Sequence, residues 1–236
     1  MAALLEQLAA EPQLAALFLD FDGVLAPIVE HPDDAYPPPE ARRELARLAG
    51  RYALVAVVSG RAGEDVARRV GVDGVRIVGS HGLELDPEAD AWRERIDAFA
   101  RAAEWPDTEL KGLAVSFHFR RAEDEDAARA ALENVAARAR SDGLVARFGR
   151  KVLEVLPPLA ANKGTAVAAL LTESGLRRAL VAGDDTTDLD AFRALDGLDL
   201  AVRVAVAAEE SPPELRDEAD VVVSSTDAFL ELLRCM

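Results

Sequence analysis

The chain has 236 residues, half of them hydrophobic and 30% charged, which suits one medium domain or a core with a modest insert and lies far from the composition of disorder. A formal net charge of −16 argues against nucleic acid and anionic membranes as partners, and no apolar run approaches the roughly 20 residues that cross a bilayer. The only cysteine, Cys235, excludes an internal disulfide, and no basic residue precedes Arg42, so the basic region of a signal peptide is missing and a cytoplasmic protein is expected.

The first apolar run, Ala15 to Phe21, predicts a strand, and similar runs follow at Ala53 to Val58 and Val75 to Val78. Glu40 to Gly50 between them has the pattern of a helix. From about Pro87 the rhythm changes: Lys111 to Arg120 alternates, Glu123 to Arg140 is a long helix rich in alanine and arginine, and Leu144 to Phe148 with Lys151 to Leu156 reads as a hairpin around Gly149-Arg150. After Pro157-Pro158 the first rhythm resumes, with a helix over Lys163 to Ser174 and strands at Arg178 to Ala182, Leu198 to Val204 and Asp220 to Val223. Most of these strands are continuously apolar, as expected when helices cover both faces of a parallel sheet. The expected fold is therefore a doubly wound parallel α/β sheet, formed by residues 1–86 and 158–236, with an inserted α+β cap over 87–157.

The polar residues worth singling out sit where strands end. Asp20 and Asp22 follow the first run, with Gly23 allowing the chain to turn away, at the sheet edge where open α/β sheets bind ligands. Two carboxylates at the end of a buried strand need a cation or proton partner. Gly183-Asp184-Asp185-Thr186-Thr187-Asp188 follows another buried strand. Asp188 has an alternative reading as a first-turn anion favoured by the helix dipole, with Thr187 as the N-cap, but Asp184 would add charge beside Asp20 and Asp22, which a hard cation such as Mg²⁺ relieves. Ser59-Gly60-Arg61 ends a third strand, where the hydroxyl and the amides beyond it suit a phosphate oxygen; Ser59 as a plain helix cap is the competing reading. Asn162 caps the next helix, and Lys163 in its first turn opposes the dipole, so an anion beside it is expected. Only three of the 27 basic residues are lysines, namely Lys111, Lys151 and Lys163.

In this order, Asp20-x-Asp22, Ser59, Lys163 and Gly183-Asp184-Asp185 with Asp188 resemble the signature motifs of the haloacid dehalogenase superfamily. The resemblance implies that Asp20 attacks phosphorus to form an aspartyl-phosphate while Asp22 protonates the leaving oxygen and then activates water. It places Ser59 and Lys163 in the catalytic set, and Mg²⁺ on Asp20, Asp22 through its carbonyl, and Asp184, with Asp188 nearby. The stretch from Asp22 to Val29 and Gly79-Ser80-His81-Gly82-Leu83-Glu84 narrow the resemblance to the trehalose-6-phosphate phosphatase family. Lys111, Ser116, His118-Phe119-Arg120 and Lys151-Val152-Leu153-Glu154-Val155 are similar to that family's cap motifs. Gly60, Arg61, His81, Gly82, Glu84, Lys111, His118, Arg120, Lys151, Glu154 and Asn162 are then the expected substrate contacts, although His81 and His118 each have a structural alternative. Strand alternation puts Ser116, His118 and Arg120 on one cap face. The expected partner is a small sugar phosphate and the expected state a monomer. Leu189, Leu156 and Val24 depart from the family pattern. A phosphatase for another sugar ester, such as a sucrose or mannosylglycerate phosphate, and a silent sugar-phosphate binding module are the rival readings.

Overall fold

The computed structural model describes residues 2–149, 151–207 and 212–236, and the chain forms two compact units, Met1–Gly82 with Ala161–Met236, and Leu83–Ala160. In the first unit six parallel strands run in the order β10 (Val221–Val223), β9 (Leu200–Val206), β8 (Arg178–Gly183), β1 (Ala16–Leu19), β2 (Leu54–Val58), β3 (Arg76–Val78). The doubly wound parallel sheet expected from the apolar runs is thus present. Strand order reverses at β1, which pairs with β2 on one side and β8 on the other, and the crevice beyond its carboxyl end is where such sheets bind ligands.

All four residues of β1 are buried. Leu17 and Leu19 pack with Leu45 and Leu48 of α2 (Pro39–Ala49), Val66 and Val70 of α3 (Gly63–Val70), and Phe229 and Leu233 of α9 (Thr226–Arg234), each leucine stabilising the fold by about 2 kcal/mol. Covering the sheet on both faces forces the strands to be apolar throughout, so polar groups belonging to them are confined to their ends. Two further helices, α6 (Lys163–Ser174) and α7 (Thr187–Arg193), pack on each other and on β2 and β8 respectively. The Asn162 cap forms as expected: its Oδ1 accepts from the Thr165 amide at 2.8 Å while the Thr165 hydroxyl accepts from the Asn162 amide at 2.9 Å.

The second unit has an antiparallel sheet in the order β4 (Thr108–Leu110), β5 (Val115–His118), β7 (Val152–Leu156), β6 (Val145–Gly149), with α4 (Ala89–Ala103) and α5 (Glu125–Ser141) alongside. Ile96, Phe99, Phe117, Leu132, Leu153 and Val155 fill its own core. The hairpin of β6 and β7 falls where alternation placed it; Arg150 of its turn lies outside the described residues. The run from Lys111 to Arg120 is not one strand. Gly112 takes a φ of 73°, the Leu113 amide donates back to the Lys111 carbonyl at 2.9 Å, and the chain turns there between β4 and β5. Because β5 ends at His118, Arg120 lies in an exposed turn, and alternation does not set it on the face of Ser116 and His118.

Candidate active site

Four chain segments converge beyond the carboxyl end of β1. Asp20 follows Leu19 directly, and the amide of Asp20 donates to the Ala182 carbonyl of β8 at 3.0 Å, which extends the sheet bonding up to the carboxylate. Its Oδ1 accepts from the Phe21 amide at 2.7 Å and its Oδ2 lies 2.8 Å from Lys163 Nζ. Lys163 is buried and reaches Asp188 Oδ1 at 2.7 Å as well, so one ammonium bridges two carboxylates brought from β1 and α7. The second oxygen of Asp188 accepts from the amides of Asp184 and Asp185 at 3.0 and 3.1 Å. That pattern corrects the expectation of Thr187 as N-cap: the helix already includes Thr187, Thr186 precedes it without a side-chain cap bond, and Asp188 itself ties down the turn.

Asp20, Asp184 and Asp188 each offer an oxygen within 4.8 Å of the others. Burial, followed by the neighbouring carboxylates Asp188 and Asp185, pushes Asp184 up to about 7, with Lys163 opposing. Asp20 is raised well above the ordinary range by burial, against the pull of Lys163, with Asp188 and Asp184 adding to the rise. Burial would draw the Lys163 ammonium down, but Asp20 and Asp188 outweigh it and hold its pKa above the ordinary value. One lysine therefore leaves the carboxylate crowding unrelieved, and an all-oxygen set of this kind suits a hard divalent cation. The Asp22 carboxylate pairs instead with Arg61, 2.7 Å away, and is not among the three side chains whose oxygens meet. Gly23, at a φ of 74°, has the Asp184 carboxylate against it: a Cβ there would lie 2.1 Å from Asp184 Oδ2, so the turn after β1 admits no side chain.

A pH dependence follows from these shifts. With Asp184 and Asp20 raised, the cation-free folded chain holds protons that the unfolded chain releases, so its stability falls as pH rises from the ordinary carboxyl value of 3.8 toward about 7. A bound divalent cation removes the reason for the shift. Added Mg²⁺ is expected to raise the melting temperature more at about pH 8 than at about pH 5. Equal gains at both, measured by calorimetry against EDTA-treated protein, would contradict the assignment of these carboxyls.

Ser59 is buried at the end of β2, and its hydroxyl accepts from the Arg61 amide at 3.2 Å. It is not a helix cap, since α3 begins only at Gly63. The turn after β3 lies against it, with the His81 amide donating to the Ser59 carbonyl at 2.8 Å and the Ser80 amide to the Arg61 carbonyl at 2.7 Å. Ser80 and His81 both take positive φ, 52° and 55°, a strain that recurs at functional sites. That bend lays the His81 ring on Gly60, where a Cβ would lie 2.6 Å from the imidazole. Gly82 packs closely on Asn162 and Ala166. Glu84 falls in the second unit, which begins at Leu83.

Within that second unit the sheet's polar face carries Lys111, Ser116, His118 and Glu154. Lys111 Nζ lies 3.3 Å from Glu154 Oε1, Ser116 Oγ 3.4 Å from the same oxygen, and His118 Nε2 2.9 Å from Glu109 Oε2. Glu109, which sequence reasoning missed, stands opposite Ser116 across β4 and β5 and also faces Lys111 at 3.7 Å. Nothing in its local pattern marks it, because the strand pairing that puts it there crosses a turn. Lys151 pairs separately with Glu125 at 2.7 Å.

The fold is that of the haloacid dehalogenase-like hydrolases: one from Bacteroides thetaiotaomicron overlays with a TM-score of 0.64 at 15% identity, covering 94% of this chain and 98% of that one. Within that class the chain belongs to the trehalose-phosphatase family, whose model matches residues 18–108 and 106–218. A trehalose-phosphate phosphatase of Mycobacterium avium is 37% identical over 203 residues, 77% of this chain and 51% of the relative. The chain thus spans about half the length of the curated relatives it matches. The solved structure of a trehalose-6-phosphate phosphatase related protein overlays with a TM-score of 0.75 at 25% identity, covering 93% of this chain and 96% of that one.

Proposed function

We propose that the chain hydrolyses trehalose 6-phosphate to trehalose and phosphate. The observation that carries this reading is the set of buried Asp20, Lys163 and Asp188 with half-buried Asp184 at the strand-order reversal of a trehalose-phosphatase family member. Asp20 Oδ2 attacks phosphorus, the bond to the sugar oxygen breaks, and Asp22 gives that oxygen a proton, since a sugar alkoxide is a poor leaving group. Water then adds to phosphorus and returns a proton to Asp22, releasing phosphate and Asp20. Asp20, Asp184, Asp188 and the Asp22 carbonyl would hold Mg²⁺, which would supply the positive charge that lets a carboxylate meet an anionic ester. Lys163 keeps Asp20 aimed, and Ser59, with the amides of Gly60 and Arg61, receives a phosphoryl oxygen. His81, Gly82 and Asn162 are read as further substrate contacts. In the second unit Lys111, His118, Glu154 and Glu109, together with Glu84, Arg120 and Lys151, are read as contacts to sugar hydroxyls. The acidic balance argues against nucleic acid as a partner, and among the described residues no helix is long and apolar enough to cross a membrane; the protein is read as a cytoplasmic monomer.

The test is phosphate release from a panel of sugar phosphates with Mg²⁺, and a preference for a monosaccharide phosphate or for a sucrose ester over trehalose 6-phosphate would overturn the substrate. EDTA is expected to stop the reaction. His118→Ala and Lys111→Ala are each expected to raise KM for trehalose 6-phosphate about tenfold while leaving hydrolysis of p-nitrophenyl phosphate within about twofold. Equal losses on both esters would show that these residues serve the fold or the chemistry instead of the sugar.

A further inference from the structure

The carboxylate of Asp22 is gripped from both oxygens by one side chain. Arg61 Nε donates to Oδ2 at 2.7 Å and Nη2 to Oδ1 at 2.8 Å, the paired geometry in which a guanidinium fixes a carboxylate in its plane. The guanidinium is held in turn. Its Nη2 also donates to the Pro32 carbonyl at 2.9 Å, its Nη1 reaches Asp65 Oδ2 at 3.4 Å, and it lies 5.4 Å from the centre of the Phe21 ring. Behind it, Asp65 accepts from Arg69 Nε at 2.7 Å, and the buried Arg69 donates to the carbonyls of Asp33 and Ala35 at 2.8 and 3.0 Å. Arg61 is thereby anchored both to α3 and to the loop that follows β1. With Asp22, Pro32 and Asp65 served, little of its five-donor fork remains for a phosphate. The Asp22 side chain is about one third exposed, so without the fork it would sample several rotamers in water.

We propose that Arg61 is a positioning residue, whose guanidinium holds the Asp22 carboxyl in register for proton transfer to the leaving oxygen and does not itself bind the phosphoryl group. This rests on the reading of Asp22 as the acid and base of the reaction. In that step the Asp20 oxygen bonds to phosphorus, the phosphorus–oxygen bond to the sugar breaks with its electron pair on the sugar oxygen, and the proton of Asp22 moves to that oxygen. Orientation of the donor matters most where the departing oxygen is basic. A residue that grips the phosphoryl group acts alike on every monoester, since the group transferred is the same. Positioning of the acid predicts a loss that depends on the leaving group.

The test compares kcat/KM, which covers the steps through departure of the alcohol, for trehalose 6-phosphate or the sugar ester the chain prefers and for p-nitrophenyl phosphate. Arg61→Ala is expected to lower kcat/KM for the sugar ester on the order of a hundredfold, and at least about tenfold more than for the aryl ester. Arg61→Lys, which keeps the charge and loses the fork, is expected to behave like Arg61→Ala; restoration of wild-type rates by lysine would overturn positioning in favour of charge alone. In an Asp22→Asn background Arg61→Ala should have no further effect on the sugar ester, and a fully additive loss would overturn the proposal because Arg61 would then act without Asp22. Equal losses on the two esters would overturn it as well. Release from neither ester by the unsubstituted chain would overturn the phosphatase reading and this one with it, whereas release with equal losses overturns this one alone.

Discussion

The Asp20→Asn chain is expected to fold normally and to lose turnover by at least about 10⁴-fold, because removal of the proposed nucleophile leaves only binding and electrostatic stabilisation behind. The amide keeps the volume of the carboxyl and one oxygen to accept from the Phe21 amide, now 2.7 Å from Oδ1. Burial already works against the charged form of Asp20, and Asp188 and Asp184 repel it, so a neutral side chain at this position relieves repulsion at the same time as it forfeits the contact with Lys163. Those terms oppose, and the melting temperature is expected to stay within a few degrees of the parent. Phosphate release and thermal melting measured on the same preparation check both halves. Activity within about tenfold of the parent would show that another group attacks phosphorus.

Lys163→Met is expected to damage both stability and activity. Methionine fills the channel of the lysine stem but leaves Asp20 and Asp188, both buried, without the ammonium that sits 2.8 and 2.7 Å from them. Breaking a buried ion pair by removing one partner costs about 3–5 kcal/mol, which for a chain of this size lowers the melting temperature by roughly 10 °C. The turn at Asp184 and Asp185 should loosen too, since Asp188 ties their amides down. Combining Lys163→Met with Asp20→Asn removes one of the stranded charges and is expected to recover part of the lost stability, a coupling measurable as a double-mutant cycle. Additive losses would mean that the two side chains do not depend on each other.

Much of the first unit could be read from the residues in order. Leu17, Phe18 and Leu19 are buried because helices cover both faces of β1, and a strand buried on both faces must be apolar along its length, so the first polar residues after it mark the sheet's edge. That is why Asp20 and Asp184 stood out, and why the six strands were placed to within about two residues. The second unit was less legible. The alternation from Lys111 to Arg120 concealed a turn at Gly112, because a positive φ in one glycine leaves no trace in a polar and apolar pattern. Arg120 lies past the end of β5, where strand alternation no longer assigns a face.

The sequence by itself determined which residues are buried and which chemical groups stand at strand ends, since those follow from local periodicity and from the need of every buried charge for a partner. The tertiary structure alone decided the partnerships. Pairing β1 with β2 and β8 in one register brings Lys163 between Asp20 and Asp188, and sets Arg61 onto Asp22 across 39 residues of sequence. Pairing β4 with β5 sets Glu109 beside His118. Contacts of this range depend on strand register and helix packing, which summed burial across the whole unit dictates and no local pattern of residues encodes.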